Sequence, residues 1–159
     1  MLFVGCGTGD EVADFVAKAN KNNVSKIASS YVLFQMNNGF NGPKDAEELK
    51  EFLRDPKFAP NLEMMGIDSA DMDAMFVSER DNEPIKVRWE VKGSSLGCTE
   101  PIAFEATGVK GTRLVAFATG VLEEVDDDQT YNDMFEGKYT PGQSRSDTPK
   151  FDGAGNPIN

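Results

Sequence analysis

The chain has 159 residues, 39% of them hydrophobic, and a formal net charge of −11. That length suits one domain with a real core, and an acidic surface repels phosphate, which argues against nucleic-acid binding and against adhesion to anionic membrane through a basic patch. There is no His, which removes the commonest general base and metal ligand and the usual Ser-His and Cys-His nucleophile pairs. The two cysteines, Cys6 and Cys98, lie far apart, so neither a disulfide framework nor a zinc cluster is indicated. No run of 18 apolar residues offers a membrane span.

The opening Met1-Leu-Phe-Val-Gly-Cys-Gly-Thr-Gly-Asp10 supports three readings. In the first, Gly5, Gly7 and Gly9 form a Gly-x-Gly-x-Gly loop between a strand and a helix. It resembles the first motif of class I methyltransferases, which implies S-adenosylmethionine at a helix N-terminus. An acid for the ribose is wanted roughly 20 positions on, and the window Ala28-Ser-Ser-Tyr-Val32 holds none. In the second, Leu2-Phe3-Val4-Gly5-Cys6 resembles the end of a bacterial lipoprotein signal. That resemblance implies lipid attachment at Cys6 with Gly-Thr-Gly as a tether, and it predicts an in-frame start upstream with a basic, apolar leader. In the third, the apolar residues are a first strand and Cys6 is a small buried hydrophobe.

From 10 to 39 the apolar residues fall at steps of three and four, among them Val12, Phe15, Val16, Ala19, Val24, Ile27, Ala28 and Tyr31. This is one helix face, a rod of roughly 45 Å if unbroken. Asp10 caps its start and Gly39 its end. Its weak point is Asn20-Lys-Asn-Asn23, whose helix propensity is poor. A turn-rich link, 37–43, follows. Asp45-Ala-Glu-Glu48 reads as a capping box opening a short helix over Leu49, Phe52 and Leu53, stopped by Pro56. The stretch 58–67, with Pro60, Met64 and Met65, reads as a packed connection, not a free loop, and 68–74 as one capped helical turn.

The clearest strands come next. Met75-Phe-Val-Ser78 leads into a turn at 80–84, and then Ile85, Val87, Trp89 and Val91 alternate with Lys86, Arg88, Glu90 and Lys92. Period two means one buried and one wet face. Lys and Arg on the wet face read as edge protection. Strands at 102–106 and 113–118 flank the hairpin loop 107–111, and another strand follows at 121–125. Glu123, Glu124, Asp126, Asp127 and Asp128 form an acidic run. It reads as a solvated edge or, alternatively, as a calcium site, although the spacing is not that of an EF-hand. Tyr131, Met134 and Phe135 dock a last short helix, and 136–159 is polar enough for a disordered tail. The expected fold class is therefore α+β, a long N-terminal helix packed on a four- to five-stranded antiparallel sheet. The domains are 1–9 as signal and tether, 10–135 as the folded unit and 136–159 as tail.

The order of long helix, Gly-Pro link, short helix and strand meander is similar to the soluble part of type IV pilins and type II secretion pseudopilins. Gly42-Pro-Lys-Asp-Ala-Glu-Glu-Leu-Lys-Glu-Phe-Leu53, Phe76-Val-Ser-Glu-Arg-Asp-Asn-Glu-Pro-Ile-Lys-Val-Arg88 and Phe104-Glu-Ala-Thr-Gly-Val-Lys-Gly-Thr-Arg-Leu-Val-Ala-Phe117 resemble small envelope lipoproteins of planctomycete type. The resemblance covers about 6–125. It implies a non-enzymatic envelope protein anchored by lipid on Cys6, with protein partners, no nucleic acid and homo-oligomer formation possible. The pilin processing site and its Glu are not present in the sequence. Major pseudopilins bind calcium near the end of their sheet, and only the run from Glu123 to Asp128 corresponds. Two other classes stand beside this reading. One is a soluble structural subunit of a larger assembly, and the other is the methyltransferase fragment.

Overall fold

A computed structural model describes residues 22–138, 150–151 and 157–158. Helix α1 spans Asn23–Asn37. Asn22 is extended and its side chain accepts from the Val24 N–H at 2.9 Å, satisfying an orphan donor of the first turn. The helix thus starts inside the weak stretch 20–23, and a continuous rod through it does not form. The remainder of the expected rod, 10–21, lies outside the described residues. The Asn23 backbone N–H donates to Glu79, and its amide nitrogen to the carbonyls of Ala74 and Val77. These bonds tie the helix start to the chain ahead of the sheet.

Helix α2, Ala46–Leu53, starts as expected at Asp45, which accepts from the Glu48 N–H at 2.8 Å. Glu48 reaches back one residue further than a capping box requires, to the Lys44 N–H at 2.6 Å. A 3₁₀ turn, Pro56–Phe58, then runs into helix α3, Ala59–Met65. The sequence reading made this stretch a packed connection and did not expect a helix in it. Pro60 sits in the first turn, where its missing N–H would have had no partner, so it starts the helix instead of breaking it. The expected strand at 75–78 is also corrected. Met72–Phe76 is a 3₁₀ helix, and only Val77 bridges to Pro84.

The sheet is an antiparallel meander in the order β1 (Lys86–Val87), β2 (Pro101–Phe104), β3 (Arg113–Phe117) and β4 (Leu122–Val125). Leu114 and Ala116 of β3 face α1, in a core shared with Val24, Ile27, Tyr31 and Leu53. Val115 and Phe117 face the other way, as the two-residue period demands. A register shift between Pro101 and Ala103 lets Ile102 and Ala103 join the first core while Phe104 joins the second. The second core is closed by helix α4, Asp128–Phe135, through Tyr131 and Met134. The result is three layers, α1, sheet and α4, with β2 buried along its whole length. Within the stretch read as a tail, β5 (Lys150–Phe151) pairs with β6 (Pro157–Ile158).

The alternating strand expected over 85–91 is cut short. After Val87, Arg88 still donates its N–H to Ile102, but Trp89 and Glu90 turn, with Glu90 at φ +58°. The chain leaves β2 and joins the link after α1. The Glu90 N–H donates to Pro43, the Val91 N–H to the Tyr31 hydroxyl at 2.8 Å, and the Gly93 N–H to Phe40. Gln35 Nε2 donates to the Val91 carbonyl at 2.8 Å. Gly42 lies so close to the Tyr31 hydroxyl and the Val91 carbonyl that a Cβ there would overlap both.

Candidate functional site

The departure of 88–93 from the sheet creates a cleft. Its floor is the last turn of α1 and its far wall is a tight two-residue turn, closed by hydrogen bonds between Ser94 and Gly97 in both directions. The volume is about 320 Å³, at the small end for a binding pocket. Val32, Met36, Phe40, Leu96 and Cys98 supply apolar and thiol surface, and Gln35 lies at the base. Leu96, at the tip of the turn, is 98% exposed, Met36 69% and Phe40 38%. Among the described residues, none that lines the cleft carries a charge.

Local structure explains why the rim is held open. Gly39 (φ +62°) and Phe40 (φ +65°) both take the left-handed conformation that ends α1, with the Phe40 N–H donating to Gln35 at 2.8 Å. A phenylalanine in that region carries strain on the order of 1–3 kcal/mol, and such residues cluster at binding and switch sites. Beneath the cleft Tyr31 is buried, and burial pushes its phenol up to about 12 even though the Val91 N–H bond favours the anion. Tyr31 is therefore a neutral anchor at any physiological pH.

A polar cluster lies just past the end of β2. Glu105, 0% exposed, accepts from Ser78 Oγ at 2.9 Å and from the Leu114 N–H at 2.8 Å, and it pairs with Arg80 at 3.2 Å. The Glu105 carbonyl accepts from the Tyr131 hydroxyl at 2.6 Å. Beside it, Asp81 accepts from the Glu83, Thr107 and Gly108 N–H groups. Burial raises the Asp81 carboxyl, but those backbone bonds outweigh it and hold the group below the usual carboxylate range. Both carboxylates are fully engaged with protein groups, so this cluster is a clasp that locks the 107–111 loop onto 78–83.

The acidic run does not gather around a point. Glu123 and Glu124 are adjacent on β4, where neighbouring side chains take opposite faces. Asp127 caps α4, accepting from the Gln129 and Thr130 N–H groups, and the bond from the Thr130 side chain, followed by those backbone bonds, lowers its pKa. Asp128 pairs with Arg113 at 2.6 Å, and the Arg113 guanidinium lies 4.0 Å above the Tyr131 ring. Among the described residues no group of three or more His, Cys, Asp or Glu side chains converges as a metal site would need. Cys6 and the glycines Gly5, Gly7 and Gly9 lie outside the described residues. The meander is antiparallel, whereas a Gly-x-Gly-x-Gly cofactor loop sits on a parallel βαβ unit.

The sequence reading missed the cleft and passed over 93–97 as a plain loop. A signal for it was present. No Asp, Glu, Lys or Arg lies between Lys26 and Lys44, nor between Lys92 and Glu100, in a chain that is 27% charged. The fold brings these two uncharged stretches together. Comparison with protein-family models, with curated proteins and with solved structures gave no match.

Proposed function

We propose that the protein is a non-enzymatic binding and scaffolding module of the cell envelope, a pseudopilin-like α+β head tethered through lipid on Cys6. The observation that carries the binding role is the uncharged cleft between α1 and the 94–97 turn, with Met36 and Leu96 standing out of it. Exposed apolar side chains gathered at one concavity mark an interaction site more often than scattered ones do. Among the described residues, the Glu105 and Asp81 carboxylates are engaged with protein groups and the acidic run does not converge. The anchor rests on the match of Leu2-Phe3-Val4-Gly5-Cys6 to a lipoprotein signal.

Two measurements test the two parts. A photo-crosslinking residue in place of Met36, introduced in cells, is expected to capture protein, and Leu96→Glu in the same chain is expected to suppress the capture. Adduct-free protein in every fraction would remove the binding role. Intact mass from the native membrane fraction is expected to show cleavage before Cys6 plus acyl chains, absent in Cys6→Ala. An unmodified soluble chain would remove the anchor and leave the second reading, a soluble subunit of a larger assembly. The exposed Val121, just before the outer strand β4, and Leu122, its first residue, favour that alternative.

A further inference from the structure

Resting on the binding role of the cleft, we infer that its occupant is a second copy of this chain. The two copies would be related by a two-fold axis, with Leu96 of each seated in the cleft of its partner. Three observations lead there. The first is shape. A fully exposed leucine stands at the tip of a tight turn directly beside an apolar hollow. A two-fold axis through the rim turns that adjacency into two identical knob-and-hole contacts, Leu96 on Met36 and Val32 in each direction.

The second is charge. Each copy carries −11, so two copies repel over most of their approach. A self-contact is tolerated only where carboxylates are missing, and the lining of the cleft has none. A basic partner would gain nothing on this neutral face and would be drawn to acidic surface instead.

The third is size, which sets the strength. Ten described residues line the cleft, against roughly 20–30 a side in interfaces that hold stable dimers. The association is therefore weak and concentration-dependent. Tethering heads to one surface raises their local concentration and makes such an affinity useful.

Sedimentation equilibrium of the full chain up to millimolar concentration tests this. The expected result is a monomer–dimer equilibrium that Leu96→Glu weakens by about tenfold or more. Leu96 is exposed, so its replacement leaves the fold intact, which circular dichroism checks. Met36→Lys is expected to weaken self-association likewise. Mixing the two variants is expected to restore a dimer, because one contact is then wild-type and the other pairs Lys with Glu. A chain that stays monomeric to 1 mM in 0.5 M NaCl overturns the inference, as does a Leu96→Glu variant that dimerises like the parent. A monomeric chain whose Met36 crosslinker captures a different protein overturns the inference alone and leaves the binding role standing. Failure of both experiments removes both.

Discussion

Glu105 is the residue whose replacement separates structure from surface most sharply. It is closed off from water and holds Ser78, Arg80 and the Leu114 N–H together. Removing the acid strands the buried Ser78 hydroxyl and the Leu114 N–H, while the partly exposed Arg80 can turn to water, at a cost of about 1–3 kcal/mol. Glu105→Ala is thus expected to lower the stability measured by urea unfolding by that amount and leave the cleft's self-association intact in whatever fraction remains folded. Met36→Lys should do the reverse. A Glu105→Ala variant as stable as the parent would show that the clasp contributes nothing net. Neither residue announced its place in the sequence. Glu105 lies inside the strand read over 102–106 and was given no role there, because a lone acid carries no sign of which basic group the fold will bring to it.

At the scale of elements, β2 and β3 were legible as short apolar runs, and glycine-bearing turns separate β2, β3 and β4. The strand over 85–91 was misjudged by its alternation. Alternating burial survives through Trp89 and Val91, but backbone pairing does not, since Glu90 turns the chain toward Pro43. Periodicity reports which side chains are covered and is silent about which backbone covers them. The second layer was only half visible. Tyr131 and Met134 marked a docking helix, but nothing local said that it closes the face opposite α1. Met134, wholly buried between α4 and the sheet, tests that layer. Met134→Ala is expected to cost about 2–5 kcal/mol in urea unfolding. A loss below 1 kcal/mol would mean that α4 is an appendage. For α1 the cap is the test. Asn22→Ala should cost about 1 kcal/mol and Asn22→Asp much less, because either oxygen-bearing side chain can accept from Val24.

For the whole molecule, charge and titration give two further expectations. If the copies meet at an uncharged cleft while repelling elsewhere, salt must tighten the dimer. Raising NaCl from 50 to 500 mM screens the repulsion and should shift sedimentation toward the dimer. A salt-weakened dimer would instead require ion pairs in the contact. The alkaline limit follows from the two buried tyrosines, Tyr31 and Tyr131. Burial raises both from 10.0 to about 12. A folded-state pKa above the unfolded value favours the protonated, folded form. That stabilisation is complete below pH 10 and is lost as pH climbs from 10 through about 12. Absorbance at the tyrosinate band and far-ultraviolet circular dichroism should change together in that window, and tyrosinate appearing from Tyr31 or Tyr131 near pH 10 with the fold intact would contradict it. The uncharged stretches that build the cleft could be read from composition, but their meeting could not, since it depends on 88–93 leaving the sheet. The packing of α1 on β3 has a bearing on synthesis. Leu114 emerges about 80 residues after Phe34, and at ribosomal rates of roughly 5–20 residues per second the helix waits about 4–16 s for β3 to complete a cover that α2 and β2 begin. During that interval its uncovered apolar face is open to chaperones, and a nascent chain stalled before β3 is the species they would hold.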